Sequence, residues 1–128
     1  MSRWYLDASA AAKLLVEEEE SSRLADRLRT SPADLCAGML LETELRRFAQ
    51  RIDAVTQSAV STLLDGVHLY DVPASLFREA GLLAGPGLRS LDALHLVTAV
   101  RLGAEAMICY DERLARAAEG IGLPVIAP

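Results

Sequence analysis

One stretch of helix length, from Leu91 to Leu102, constrains the fold more than any other part of the chain. Apolar residues surround its helical wheel almost completely, and a helix without a polar face is normally buried. Asp92 lies in the first turn of this stretch. Because an unpaired buried carboxylate is energetically costly, the start of the helix must either meet a cation or open onto a cleft.

The composition indicates one globular domain over residues 1–128. Apolar residues make up 52% of the chain and charged residues 24%, which is typical of a chain that folds around a core. No apolar run reaches the roughly 18 residues of a membrane-spanning helix, and the first residues carry no signal-peptide pattern. We therefore expect a cytoplasmic protein without a membrane partner. Cys36 and Cys109 lack metal-ligand spacing and are predicted to be buried thiols.

Short apolar strands alternate with helical patterns along the chain, which predicts an α/β fold. We expect a three-layer α/β/α sandwich around a mainly parallel sheet of about five strands. The strands are predicted at 3–6, 35–37, 67–72, 106–109 and 124–126, and helices at 8–16, 21–29, 39–52, 54–64, 75–84, 91–102 and 112–118. In such folds, ligands bind beyond the carboxyl ends of the strands.

Three aspartates occupy equivalent positions in this pattern. Asp7 follows the first strand, Asp111 follows the fourth strand, and Asp92 lies at the start of the apolar helix. Each aspartate alone could instead have a structural role, capping the N-terminus of its helix. This alternative is weaker for Asp92, because Ser90 is already placed to cap that helix. If the first and fourth strands are neighbours, Asp7 and Asp111 meet at one edge. Clustered carboxylates resist ionising unless a cation is present, and Mg²⁺ or Mn²⁺ prefers such oxygen ligands.

A fourth acid is expected from the helix that contains LLETELRR. Glu42 and Glu44 lie about 200° apart on a helix, so both cannot face one site. Helical periodicity favours Glu44 only weakly, and on this ground alone the choice stays open. The net charge of −5 argues against a protein that coats nucleic acid. It does not exclude an enzyme acting on nucleic acid, because metal sites concentrate carboxylates.

Two other classes of α/β protein with acidic pockets are excluded by single positions. A phosphoacceptor receiver domain needs a lysine late in the chain, whereas the only lysine here is Lys13. A haloacid-dehalogenase-type phosphatase needs an aspartate two residues after its nucleophile. Ser9 occupies that position relative to Asp7.

Four segments occur in the order and spacing of one known family: YLDASA, ETELRR, LRSLDALHLVTAVRLGA and ICYDERLARAAEGIGLPVI. The chain resembles the PIN-domain ribonucleases, specifically the toxin half of bacterial VapBC-type toxin–antitoxin pairs. By position, the resemblance implies an acidic quartet: Asp7, Glu44, Asp92 and Asp111. It thereby selects Glu44 over Glu42. Two positions depart from the family motifs, since Gly38 stands where serine or threonine is common and Cys109 where threonine is common.

The resemblance implies a Mg²⁺- or Mn²⁺-dependent endoribonuclease with a metal-activated water, a toxin that inhibits translation and is neutralised by a cognate antitoxin. The quartet would hold one or two ions, Glu44 directly or through water. Ser9 is expected to support the ligand shell by hydrogen bonding, and His95 to be a packed or supporting histidine rather than a ligand. A homodimer is also expected from the family.

Arginines near the acids are candidate contacts for RNA phosphates. Arg89 precedes the Asp92 helix, while Arg46 and Arg47 lie beside Glu44 on a face that could equally be solvated.

Two alternative functions remain: a catalytically inactive PIN-fold binding module, and an RNA-processing PIN nuclease without an antitoxin. The presence of all four acids favours a nuclease, and the small size favours the toxin. A groove lined by Leu14, Leu15, Leu24 and Leu28 is one hypothesis for the antitoxin site, with ordinary core packing as the alternative.

Overall fold

The computed structural model describes residues 2–128, which form seven helices and five strands. In chain order these are β1 (Arg3–Leu6), α1 (Ala8–Leu15), α2 (Ser21–Thr30), β2 (Asp34–Gly38), α3 (Leu40–Arg51), α4 (Gln57–Asp65), β3 (His68–Tyr70), α5 (Ala74–Leu82), α6 (Ser90–Arg101), β4 (Ala106–Ile108), α7 (Glu112–Gly120) and β5 (Val125–Ile126). Each predicted strand and helix is present. None of the helices over residues 2–128 is long and apolar enough to cross a membrane.

The predicted start of one helix is wrong by three residues. Helical periodicity placed it at Ala54, but α4 begins at Gln57. The hydroxyl oxygen of Thr56 accepts a hydrogen bond from the Ala59 backbone N–H at 3.0 Å, which caps the helix and sets its first turn.

The five strands form one all-parallel sheet in the order β3-β2-β1-β4-β5. β1 therefore lies at the centre, with β2 on one side and β4 on the other. This arrangement confirms the predicted α/β class. The first and fourth strands are neighbours, which was the condition for Asp7 and Asp111 to meet at one edge of the sheet.

The strand order reverses direction at β1, and this reversal separates the helices into two layers. Parallel crossovers are almost always right-handed, so connections running to the two sides of β1 place their helices on opposite faces. The contacts between helices agree: α1 contacts α2, α3 and α4, whereas α6 contacts α5 and α7. The sheet is thus covered on both faces, which explains why its central strands are apolar after their first residues, Arg3 in β1 and Asp34 in β2.

The apolar stretch that begins at Leu91 lies in α6, and every residue from Ala93 to Ala99 is buried. The helix packs against α5, α7 and β2. Thr98 is accommodated because its hydroxyl donates to the Leu94 carbonyl oxygen at 2.6 Å. Cys36 and Cys109 are buried free thiols, as predicted, and burial raises the pKa of the Cys36 thiol to about 11.

Gly38, the last residue of β2, has almost no space beside it for a side chain. A Cβ atom at this position would lie 3.0 Å from Val72 Cγ2, 3.2 Å from Thr98 Cγ2 and 3.3 Å from the Tyr5 hydroxyl oxygen. The Gly38 N–H also donates to that hydroxyl oxygen at 3.0 Å. The absence of a side chain therefore allows the close approach of Tyr5 that this hydrogen bond needs.

We predict that Gly38→Ala lowers the free energy of unfolding by about 1–3 kcal/mol, because the added methyl group overpacks a tight site. Urea titration of the purified protein measures the change. Gly81→Ala is the matched control: a Cβ there has nothing within 4 Å, the residue lies in α5, and we expect a gain of about 0.5–1 kcal/mol from helix propensity. Equal effects of the two substitutions would contradict the close approach at Gly38.

Candidate active site

The carboxyl ends of β1 and β4 meet at the point where the strand order reverses, and parallel α/β proteins bind ligands at such points. Asp7 directly follows β1, and its backbone N–H donates to the Ile108 carbonyl oxygen at the end of β4, at 3.3 Å. Asp111 follows β4 and caps α7, since its Oδ1 accepts from the Leu114 N–H at 3.0 Å. The two predicted acids thus lie on neighbouring strand ends.

Asp7 is buried, with 3% of its surface exposed, and its carboxylate is held by three short contacts. The Ser9 hydroxyl lies 2.8 and 2.9 Å from its two oxygens, and the Ala10 N–H donates to Oδ1 at 2.9 Å. Ser9 also accepts the Tyr110 N–H at 3.1 Å, so it joins the end of β4 to this carboxylate. Burial raises the pKa of Asp7 above its usual value, although the hydrogen bonds from Ala10 and Ser9 oppose the shift.

Asp92 is the third residue of α6, where its side chain reaches the same edge of the sheet. Burial raises the pKa of its carboxyl group, and the charges of Asp111, Asp7 and Glu44 raise it further. All four acids of the predicted quartet therefore interact through space. The prediction that Ser90 caps this helix is wrong, because Ser90 is already helical and Arg89 occupies the cap position without a side-chain bond.

The structure distinguishes the two glutamates of α3. Glu42 turns away and bonds Arg46, with 2.6 Å between the Glu42 Oε2 and Arg46 Nε atoms. Glu44 turns inward, and its Oε1 lies 2.5 Å from Nε2 of His95. The carboxylate that the resemblance selected is thus the one that faces the other acids.

His95 connects Glu44 to the interior of the protein. Its side chain is 1% exposed, and its Nδ1 lies 2.6 Å from the hydroxyl oxygen of Tyr5. Tyr5 was not singled out by the sequence analysis. The available signal was strand alternation, because residues two apart on a strand face the same side, and Tyr5 stands two residues before Asp7.

The donor set fits a hard divalent cation. Its members are carboxylates whose mutual repulsion a cation would relieve. No ion pair within residues 2–128 includes Asp7, Asp92 or Asp111. Within residues 2–128, no group of three or more aspartate, glutamate, histidine or cysteine side chains is already placed to hold a metal ion. The carboxylates would have to draw together around an ion.

A groove of about 430 Å³ adjoins the acids on the α1 and α3 side. Its surface is mostly apolar, and the lining residues are Ala8, Ser9, Ala12, Thr43, Glu44, Leu45, Arg47, Phe48, Arg51 and Leu91. We call this the α1–α3 groove. Arg89 is exposed and lines a separate cavity with Ser90.

Two sequence hypotheses about surfaces are altered by the packing. Arg46 does not face the groove: besides Glu42, it donates to the Gln57 carbonyl oxygen at 3.0 Å and so joins α3 to α4. The predicted antitoxin groove of four leucines is wrong, because one of them, Leu24, is fully buried in the core. Leu14 and Leu15 line a different, smaller cavity of about 330 Å³.

The fold and site define a class: parallel α/β proteins with a cluster of carboxylates at the point where the strand order reverses. The PIN domain family model matches residues 4–120, and the chain belongs to this family. The resemblance seen in the sequence is thereby confirmed.

Individual relatives extend the comparison over the whole chain. Ribonuclease VapC35 of Mycobacterium tuberculosis is 38% identical over 130 aligned positions, covering 97% of this chain and 96% of the relative. Ribonuclease VapC46 of the same organism is 35% identical, covering 100% and 99%.

Two solved structures share the fold. The crystal structure of Mycobacterium tuberculosis VapC20, described as a sarcin-ricin loop cleaving toxin, superposes with a TM-score of 0.75 at 16% identity, covering 98% of this chain and 99% of that one. The crystal structure of VapBC2 from Rickettsia felis, bound to a DNA fragment from its promoter, gives a TM-score of 0.65 at 13% identity, covering 97% of each chain.

We predict that Asp92→Asn raises the melting temperature of the metal-free protein by roughly 2–4 °C. Its raised pKa means that the charged form destabilises the fold. This cost is absent below the unfolded pKa, roughly pH 4; it grows as the pH rises from there toward the raised folded pKa and is fully present above that pKa. The gain in the variant should therefore shrink as the pH is lowered toward 4.

Differential scanning calorimetry in EDTA at several pH values measures this effect. Asp53→Asn is the control, because it removes one negative charge from an exposed turn outside the site. A lower melting temperature for Asp92→Asn at neutral pH would show that its helix-end contacts outweigh the repulsion.

Proposed function

We propose that this protein is a divalent-cation-dependent endoribonuclease and the toxin of a type II toxin–antitoxin pair. The observation that carries the proposal is the placement of Asp7, Glu44, Asp92 and Asp111 at one edge of the sheet, where burial and then the charges of the other three acids raise the pKa of Asp92. Similarity to ribonucleases of the VapC group over the full chain supports RNA as the substrate.

Mg²⁺ or Mn²⁺ is the proposed cofactor, held by Asp7, Asp92 and Asp111, with Glu44 direct or through water. When bound, the ion would supply a water of lowered pKa and positive charge opposite the phosphate. The chain itself contributes orientation. Ser9 and the Ala10 N–H hold the Asp7 carboxylate in one position, so the other acids would move toward Asp7 when the site is filled.

The substrate phosphates are proposed to meet arginine side chains on the two sides of the acids. Arg47 lines the α1–α3 groove next to Glu44, and Arg89 immediately precedes α6. Arginine suits this role because its planar guanidinium can bond two phosphate oxygens at once. Arg46 contributes indirectly, since its bonds to Glu42 and Gln57 hold α3 in place.

A cognate antitoxin is the proposed partner, and the α1–α3 groove is its proposed site. The groove is mostly apolar and is lined by Glu44 of the quartet, so a segment with apolar side chains and one basic residue would match it. The solved VapBC2 assembly among the structural relatives supports a partner of this kind. Cleavage of an RNA needed for protein synthesis would inhibit translation until the antitoxin binds. An antitoxin gene directly upstream is the simplest check on this part of the proposal.

We predict that the purified protein cleaves RNA from a pool of structured transcripts in Mg²⁺ or Mn²⁺ but not in EDTA. Asp92→Asn should lower the cleavage rate at least about a hundredfold, because it removes a charged ligand while keeping the side-chain shape. Gel mapping of the cut ends reports both activity and target. Asp53→Asn should cleave like the wild type.

The outcomes separate the alternatives. Absence of cleavage together with absence of any metal-induced rise in melting temperature would favour an inactive binding module. Cleavage without an upstream antitoxin gene would favour an RNA-processing nuclease. Cleavage in EDTA, or undiminished cleavage by Asp92→Asn, would contradict the proposed site.

We further predict that Arg47→Ala raises the KM for RNA about three- to tenfold while leaving kcat unchanged, because one phosphate contact is lost. The salt dependence of KM should become shallower by about one counterion. Arg78→Ala is the control. Arg78 is exposed on α5, which packs against α6 in the helix layer opposite α1 and α3. Equal effects of the two substitutions would point to net charge rather than a contact at Arg47.

A further inference from the structure

Three side chains from three elements form a continuous hydrogen-bonded chain that ends in the acidic site. Tyr5 of β1 bonds His95 of α6 with 2.6 Å between the hydroxyl oxygen and Nδ1. His95 bonds Glu44 of α3 with 2.5 Å between Nε2 and Oε1. Tyr5 and His95 are 0% and 1% exposed, so water does not compete for these bonds.

The direction of each proton in this chain follows from its inner end. The Gly38 N–H can only donate, and it donates to the Tyr5 hydroxyl oxygen at 3.0 Å. If His95 Nδ1 also donated to that oxygen, the hydroxyl proton would have no acceptor among the described residues, and an unpaired buried donor is costly. Tyr5 therefore donates to Nδ1, which must be a lone pair. The proton of the neutral imidazole is then on Nε2, and it is donated to Glu44.

We propose that Tyr5 and His95 are positioning residues that hold the Glu44 carboxylate in one orientation toward the other three acids. This inference rests on the proposed function, because it assigns the orientation a value for RNA cleavage. The Gly38 amide fixes Tyr5 as a donor, Tyr5 fixes the tautomer of His95, and His95 engages one oxygen of Glu44. The second oxygen of Glu44 is left to the site.

Two further features, one ring contact and the burial of the helix, keep the His95 imidazole from turning. The rings of Tyr5 and His95 pack edge to face, with centroids 5.5 Å apart and planes at 71°. The backbone of His95 belongs to the fully buried part of α6. His95 thus presents an N–H rather than a lone pair to the acids. It acts neither as a ligand nor as a general base, and its effect passes through Glu44.

The tautomer is measured first, and this measurement needs no enzymatic activity. The chain has two histidines, and His68 is exposed, so His68→Gln leaves a single imidazole signal. A long-range ¹H–¹⁵N correlation spectrum at neutral pH should show His95 protonated on Nε2 alone. Protonation on Nδ1, or on both nitrogens, would overturn the inference. In Tyr5→Phe the hydrogen bond to Nδ1 is lost, so the ¹⁵N chemical shift of Nδ1 should move, and an unchanged Nδ1 shift would remove Tyr5 from the chain.

Two isosteric variants then separate positioning from packing. In His95→Gln the side-chain amide nitrogen can replace Nε2 as the donor to Glu44, whereas in His95→Asn the amide is too short to reach it. We expect kcat to fall about tenfold or more in His95→Asn, with KM changed less than about twofold. We expect His95→Gln to recover to within about threefold of the wild type.

Circular dichroism and melting temperature establish that both variants fold. Equal losses of kcat in two folded variants, or a loss confined to KM, would overturn the inference. If both variants fail to fold, the spectrum of Tyr5→Phe decides. If the wild type cleaves no RNA, the proposed function fails, while the spectrum still shows whether the chain of hydrogen bonds has the stated direction.

Discussion

Hydrogen bonds between β1 and β4 join segments from opposite ends of the chain, and Ser9 and Tyr110, 101 residues apart, bond just beyond them. This pairing creates the reversal in strand order, which sends the helices to opposite faces of the sheet. It also brings Asp7 beside the end of β4. The acidic site therefore depends on the same strand pairing that organises the core around β1.

The site makes the fold less stable than it would be without it. Asp7 and Asp92 both have a raised pKa, chiefly because burial disfavours their charged forms. Hydrogen bonds offset part of this cost at Asp7, whereas at Asp92 the nearby carboxylates add to it. A protein with no use for these charges would gain stability by replacing them. Their retention at one edge of the sheet is the physical argument for a cationic ligand.

The strands, the helices and three of the acids, Asp7, Asp92 and Asp111, were predictable, because they depend on local pattern and on the position of each acid after a strand or at a helix start. Partner choices between distant residues were not. Sequence could not show that Arg46 would be held by Gln57, or that Leu24 would be buried, since both depend on how helices pack. Periodicity could not decide between Glu42 and Glu44 either. The partner of Glu44 is His95, and that contact exists only once α3 and α6 pack around the end of β2.

Asp7 is the single residue between β1 and α1, because the strand ends at Leu6 and the helix starts at Ala8. Its backbone bonds β4 while its side chain caps the helix. A one-residue junction cannot absorb an insertion. One inserted residue would either detach the carboxylate from the helix or shift the strand out of register. We therefore expect inserted residues to be tolerated in longer connections, such as 83–89, and not between β1 and α1.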